Sequence, residues 1–328
     1  MPTGNMADST VSVVIPAFRV TAYIAQALDS VIAQTHPADE IVVINDGCPD
    51  TAALEAVLAP YRDRMVYRVQ PNRGPAAARN AGIQAARGEL IAFLDADDYW
   101  APEFLARQTQ YLRQHPDVDL VYTDAIFFSE AGRQLGTLMQ MAPSTGEPNL
   151  QSLLDGTCTV ATTTVMARRA RLLAAGLFDE EIGNYSEDFD LWLRVAHSGG
   201  RIAYQREPLV HHRVHSNSLT AQRLQLPRGA LRVLDKARAS LQLAPAERAA
   251  LERRHALIRA DILAEEAKHL LLAGDYAGAR GRMKEAVVAR PTFKRRIAAL
   301  GLRLAPALAR QVLERRGGRA PNSAGRAL

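Results

Sequence analysis

Two cysteines, Cys48 and Cys158, are all that the 328 residues contain, which excludes a disulfide scaffold and a thiolate zinc site. No uninterrupted apolar run approaches the ~18–20 residues that a membrane-spanning helix needs. Aromatic residues make up only 6% of the chain, and no stacking platform accompanies its basic residues, so nucleic acid is not an expected partner. The opening segment, MPTGNMADST, has neither the basic start nor the apolar stretch of a signal peptide. The expected location is therefore the cytoplasm. There is no H-E-x-x-H, no P-loop signature, and no G-x-G-x-x-G after the first apolar run, so a zincin, a P-loop NTPase and a dinucleotide fold lack support.

The remaining composition, 48% hydrophobic and 23% charged, is ordinary for a globular protein. The length exceeds what one core usually supports, which predicts a full domain with a smaller appendage. Charge divides the same way. Residues 228–328 hold 22 Lys/Arg against 9 Asp/Glu, a balance of +13, while residues 1–227 balance at −8. A basic tail on an acidic body suits an anionic surface such as membrane phospholipid or nucleic acid, the latter disfavoured above, or else a solvated helical face.

The first hundred residues alternate strand and helix. Val11–Phe18 and Glu40–Asn45 are near-continuous apolar runs, as expected of strands buried on both faces. Met65–Gln70 and Leu90–Leu94 give two more strands, with helical spacing between each pair. This rhythm predicts a parallel sheet with right-handed crossovers. After Asp98 it loosens: a helix over Pro102–His115, a strand over Asp119–Phe128, a loop-rich stretch Glu130–Pro148, a strand Thr162–Ala167, a helix Ser186–Ser198 and extended chain over Ala203–Val214. Beyond Pro227 only helical periodicity remains, and Glu266–Pro291 reads as one tetratricopeptide-like hairpin. The expected domains are 1–227 and 228–328.

Asp95-Ala96-Asp97-Asp98 sits at the end of a predicted buried strand, where open parallel sheets bind ligands. Three carboxylates released together repel one another unless a cation compensates. Mg²⁺ or Mn²⁺ shared with substrate phosphates would do so; an Asp-rich turn capping the next helix is the alternative. Pro16 and Asp46 end the first two strands at the same sheet edge.

Together these residues resemble the family 2 glycosyltransferases, inverting enzymes of the GT-A fold. Val13-Val14-Ile15-Pro16-Ala17-Phe18 is similar to the family's opening V-x-I-P-x-Y/F-N, with Arg19 in place of Asn. Asn45-Asp46-Gly47-Cys48-Pro49-Asp50 is similar to D-D-G-S-x-D, with Asn45 and Cys48 substituted. Asn72 to Gly82 follows N-x-G-x-x-x-A-R-N-x-G, and Asp95–Asp98 matches D-A-D-D without change. The resemblance runs from about Thr10 to Thr220. It implies an α/β GT-A fold, a Rossmann-like mixed sheet, here with a C-terminal helical appendage. It also implies Pro16, Phe18, Asp46, Arg79, Asp95 and Ala96 at the nucleotide and Asp97 at the metal. Arg79 could neutralise diphosphate or pair with the Asp95–Asp98 loop. Asn80 and Gly82 are expected to shape the turn and the packing of the helix.

Glu187-Asp188 resembles the family's E-D motif, whose second acid is the base, so Asp188 is expected to deprotonate the acceptor and Glu187 is its rival. On dipole grounds alone, acids in a first helical turn are simply stabilising. Asp190 is read as supporting, and Trp192 as a sugar-stacking or core ring. His211-His212-Arg213-Val214-His215 with Ser216–Ser218 resembles the R-x-H-x-x-S segment that closes many of these sites, with His215 a second metal ligand. The expectation is a Mn²⁺- or Mg²⁺-dependent inverting glycosyltransferase. Its donor would be a nucleotide-diphosphate sugar, UDP by default, and its acceptor a glycan, a lipid-linked compound or a small molecule. An inactive sugar-nucleotide-binding scaffold and a nucleotidyltransferase are the alternatives. Phe293–Arg316 places Ile297, Leu300, Leu304, Leu308 and Val312 on one stripe among Lys and Arg, a pattern suited to peripheral membrane contact, with Pro306 expected to kink or split the helix.

Overall fold

A computed structural model describes residues 9–215 and 224–317, with side chains as far as residue 315. The chain divides into two compact units, 1–221 and 222–328.

The first unit is built on a nine-stranded sheet. Its opening half runs β1 (Val11–Ala17), α1 (Ile24–Ile32), β2 (Glu40–Asp46), α2 (Thr51–Leu58), β3 (Val66–Gln70), α3 (Pro75–Ala85) and β4 (Leu90–Phe93). β1, β2 and β4 are buried almost throughout, which is why they read as unbroken apolar runs. All four strands are parallel, in the order β3-β2-β1-β4. The chain moves outward from β1 to β3, then returns past β1 to β4, so the strand order reverses between β1 and β4. A crevice outside the carboxyl ends of those strands is the expected ligand position. Gly82 lets α3 lie close against β1, because a Cβ there would overlap Val14 Cγ1.

The second half runs β5 (Tyr99–Trp100), α4 (Phe104–Gln114), β6 (Leu120–Ser129), β7 (Gln134–Thr137), α5 (Leu138–Met141), α6 (Leu150–Asp155), β8 (Val165–Arg168), α7 (Arg169–Ala174), α8 (Glu187–His197) and β9 (Ile202–Val214). It extends the sheet as β8-β6-β9-β5, with β7 on β6. β8 is antiparallel to β4 and β6, while β6 and β9 are parallel, so the sheet is mixed. The stretch Glu130–Pro148, expected as loop, contains β7 and α5; Gly132 turns the chain into β7 with φ +75°. The strand expected from Thr162 starts only at Val165, because Thr162–Thr164 form a single 3₁₀ turn.

The second unit is helical: α9 (Gln225–Ser240), α10 (Pro245–Leu272), α11 (Tyr276–Ala289), α12 (Phe293–Leu304) and α13 (Pro306–Gly317). Pro227 lies in the first turn of α9, where its missing N–H interrupts no helical bond, so the helical region begins ahead of residue 228. α10 and α11 form the hairpin. Gly274 turns it at φ +87°, and the Asp275 side chain accepts from the Gly278 N–H. Ala267, Leu271, Ala279, Met283 and Ala286 fill the seam, with Leu302 of α12 packed on them. Among the described residues no helix is long and apolar enough to cross a membrane.

Candidate active site

The residues singled out from the sequence converge on the carboxyl ends of β1, β2 and β4, the start of α8 and the end of β9. Pro16 is half-buried, Phe18 is 40% exposed, and Ala96 is buried. Arg19 has φ +54°, in the left-handed region that Asn tolerates best among residues with a side chain. That accounts physically for the Asn of the family pattern. Here Arg19 donates its backbone N–H to Cys48 Sγ at 3.1 Å and lays its guanidinium over the Phe18 ring.

Asp46 is 3% exposed. Its Oδ1 accepts from Gln70 Nε2 at 2.8 Å and the Arg73 N–H at 3.0 Å, and its Oδ2 accepts from the Gly74 N–H at 2.8 Å. It does not cap α2; it ties the loop after β2 to the loop before α3. One Oδ2 lone pair remains for a ligand. Gly47 makes this approach possible at φ +64°, since a Cβ there would stand 2.5 Å from the Asn72 nitrogen.

Arg79 does not present its guanidinium to an open diphosphate position. Its Nη1 donates to Glu187 Oε1 and its Nη2 to Asp95 Oδ1, both at 2.7 Å. The Arg79 and Glu187 side chains are only 7% and 6% exposed, so of the two expected roles the structure displays the ion pair. Asp95 stays partly exposed beside it. Asn80 clamps the chain before α8, accepting from the Phe178 N–H and donating to the Phe178 carbonyl, each at 2.9 Å.

The two remaining acids of Asp95–Asp98 differ. Asp98 is fully buried: its Oδ2 lies 2.9 Å from His212 Nδ1, and its Oδ1 accepts from the Arg213 N–H at 2.9 Å. Burial pushes Asp98 up to about 6. Burial also acts to lower His212, but the Asp98 carboxylate outweighs it and raises His212 to about 9. This pair anchors β9 to the Asp-rich loop, and sequence reading passed over it in favour of His215. Asp97 is more accessible, with Oδ2 2.9 Å from His215 Nε2. Burial tends to raise Asp97, yet the His215 hydrogen bond and nearby imidazolium charge hold it below the ordinary carboxylate range.

Asp97 and His215 are donor types that a divalent ion can take, a carboxylate oxygen and, once the imidazole gives up the proton it shares with Asp97, a ring nitrogen. Among the described residues no three His, Cys, Asp or Glu side chains form a closed cage. Mg²⁺-type ions bound through one or two protein ligands plus substrate phosphates need none. Ser216, Asn217 and Ser218 lie outside the described residues.

α8 begins under strain: Ser186 holds φ +69°, an outlier of the kind that accumulates at functional sites. It aims two adjacent acids differently. Burial raises Glu187 to about 7 although Arg79 opposes the shift. Asp188 is more accessible; its Oδ2 accepts from Thr162 Oγ1 at 2.9 Å and its Oδ1 from the Phe189 N–H at 2.7 Å. Burial raises Asp188 as well. Asp190 pairs with Arg194 at 2.7 Å. Trp192 is buried against Phe93 and Phe178, so it is a core ring and not a sugar platform.

A mixed α/β sheet with carboxylates gathered at the carboxyl ends of its strands is the arrangement of the GT-A-like fold, which the solved structures below share. The sequence model described as "Glycosyl transferase family 2" matches residues 12–176, about half of the chain, and the protein belongs to that family. An uncharacterized glycosyltransferase of Rickettsia prowazekii is 29% identical over 224 residues, 66% of this chain and 67% of that protein. Two solved structures share the fold. S. aureus TarS 1–349 in complex with UDP-GlcNAc matches with a TM-score of 0.58 at 19% identity, over 94% of this chain and 92% of that one. The mannosyltransferase PcManGT from Pyrobaculum calidifontis, in complex with GDP-Man and Mn²⁺, matches with 0.61 at 19% identity, over 94% and 88%.

Proposed function

We propose that this glycosyltransferase moves a sugar with inversion from a nucleotide-diphosphate sugar, a UDP-sugar by default, to a hydroxyl of a glycan, lipid-linked or small-molecule acceptor. The observation that carries this reading is the unequal state of Glu187 and Asp188. Glu187 is held by Arg79. Asp188 is half-buried with no such ion pair among the described residues, and burial raises its pKa, the direction that suits a general base. Asp188 takes the acceptor hydroxyl proton as that oxygen attacks the anomeric carbon opposite the leaving nucleotide. Thr162 and the Phe189 N–H orient the carboxylate for this, while Glu187 positions the start of α8 through Arg79.

Asp97 and His215 would hold Mn²⁺ or Mg²⁺, which when bound supplies positive charge at the diphosphate and favours departure of the nucleotide. Asp95 stands for the ribose and Asp46 for the base. Pro16, Phe18 and Ala96 would line the nucleotide crevice. The ligands of the two structural neighbours, UDP-GlcNAc in one and GDP-Man with Mn²⁺ in the other, support this class of donor.

A nucleotide-sugar panel titrated calorimetrically with Mn²⁺ selects the donor, and turnover is then compared between wild type and Asp188→Asn. The variant should bind nucleotide as wild type does and lose ~10²–10⁴-fold in kcat. A loss under about tenfold would move the role of base to Glu187. Binding without transfer by the wild type would favour a scaffold.

A further inference from the structure

Each helix at the end of the described chain carries two apolar faces, and the helical core uses only one of them. Leu302 of α12 is buried in the seam, with Ala299, Ala309 and Leu313 packed beside it. On the other side Phe293, Ile297, Leu300 and Leu304 of α12, with Leu308 and Val312 of α13, are between 44% and 79% exposed. At 100° per residue the four α12 side chains fall within about 60° of arc, roughly opposite Leu302. Their spacing is that of a continuous stripe.

Cations edge the stripe. By the same geometry Lys294 lies about 90° to one side, with Arg296 and Arg303 about 70–90° to the other. All three are exposed and form no ion pair among the described residues. Arg295, by contrast, turns to the core side and pairs with Asp261. Glu314, the one acid in the sequence of α12 and α13, is taken by Arg310 at 2.8 Å. The face therefore presents large apolar side chains between rows of unneutralised positive charge.

We infer that this face of α12 and α13 lies in the interface of an anionic phospholipid bilayer. Charge complementarity selects that occupant. A second copy would bring Lys294, Arg296 and Arg303 against their own kind. Nucleic acid would answer the charge but leave the stripe in water. An anionic bilayer takes up both, the apolar side chains at the acyl boundary and the cations at the headgroups. The split at Pro306 lets α12 and α13 each lie along the surface.

The full-length chain is sedimented with vesicles of phosphatidylcholine alone and of phosphatidylcholine with equimolar phosphatidylglycerol. It should pellet with the second and not the first, and added salt should release it. Each cation is worth about a fivefold change in partitioning, so Lys294→Gln/Arg296→Gln/Arg303→Gln should lower it on the order of a hundredfold. Ile297→Ser/Leu304→Ser should lower it at least about tenfold. Circular dichroism and donor turnover in solution should match wild type in both variants. Equal pelleting with both vesicle types, or pelleting that neither variant weakens, overturns the inference. So does a dimer in analytical ultracentrifugation that Ile297→Ser/Leu304→Ser dissociates, with no vesicle binding. Retention on duplex DNA without vesicle binding overturns it too.

Discussion

Replacing Arg79 with Met keeps the packing of the stem and removes the charge between Glu187 and Asp95. Asp95 is 28% exposed at its side chain and can rehydrate, whereas Glu187, at 6%, cannot. The variant thus leaves one buried carboxylate without its cation, which costs about 3–5 kcal/mol. In a unit of this size each kcal/mol moves Tm by about 2–4 °C, so Tm should fall by ~6–20 °C. The loss should depend on pH. In the wild type Glu187 sits at about 7, above its ordinary value of 4.5. Such a group contributes stability that is full below the unfolded value and lost as pH rises through the folded one. Without Arg79 the folded value climbs further, so the Tm gap between variant and wild type should widen from about pH 6 to about pH 9. Adding Glu187→Gln removes the stranded charge and should restore more than half of the loss. Arg79 also lowers Asp188, so the acid limb of kcat/KM should move to higher pH in the single variant. Thermal melts across pH and a pH–rate profile read both effects. A loss below ~1 kcal/mol, or a gap that ignores pH, refutes the buried-network argument.

Asp97 and Asp98, adjacent in sequence, should separate cleanly. Asp97→Asn should abolish Mn²⁺-dependent nucleotide binding by calorimetry with Tm near wild type. Asp98→Ala should cost about 3–5 kcal/mol in a denaturant melt, because His212 and the Arg213 N–H lose their buried acceptor; equal Tm for the two variants contradicts the assignment. Full turnover of the wild type in excess EDTA would remove Asp97 and His215 from metal binding. Arg19→Asn should raise stability by about 0.5–1 kcal/mol, since Asn adopts the left-handed backbone more readily; an unchanged or lower melt counts against strain at that turn.

Much of the first unit was legible because its physics is local. Strands buried on both faces make unbroken apolar runs, and the helices between them carry their own periodicity, so β1 to β4 could be read with nearly correct ends. β5 has two residues and β7 four, too short for any period to register. The 3₁₀ turn at Thr162–Thr164 is rich in a β-branched residue and reads as strand. The Asn that the family pattern favours at position 19 could be matched as a letter, but its reason is a backbone angle that only the structure supplies.

The roles within the site were less legible because they are settled by partners far along the chain. Asp98 meets a histidine 114 positions away, and Arg79 meets Glu187 across 108. Asp95, Asp97, Asp98, Glu187 and Asp188 form two tiers. The inner acids, Asp98 and Glu187, are neutralised by the protein's own His212 and Arg79, which fastens β9 and α8 to the loop after β4. Asp97 and Asp188 stay half-buried rather than buried, which is why the proposed function uses one for the ion and the other for the acceptor proton, with Asp95 between the tiers. A D-A-D-D string cannot disclose that division, since all its carboxylates are alike until the fold decides which are buried. Crowding five acids together is tolerable because Arg79, His212 and His215 pair with four of them, Asp95, Glu187, Asp98 and Asp97.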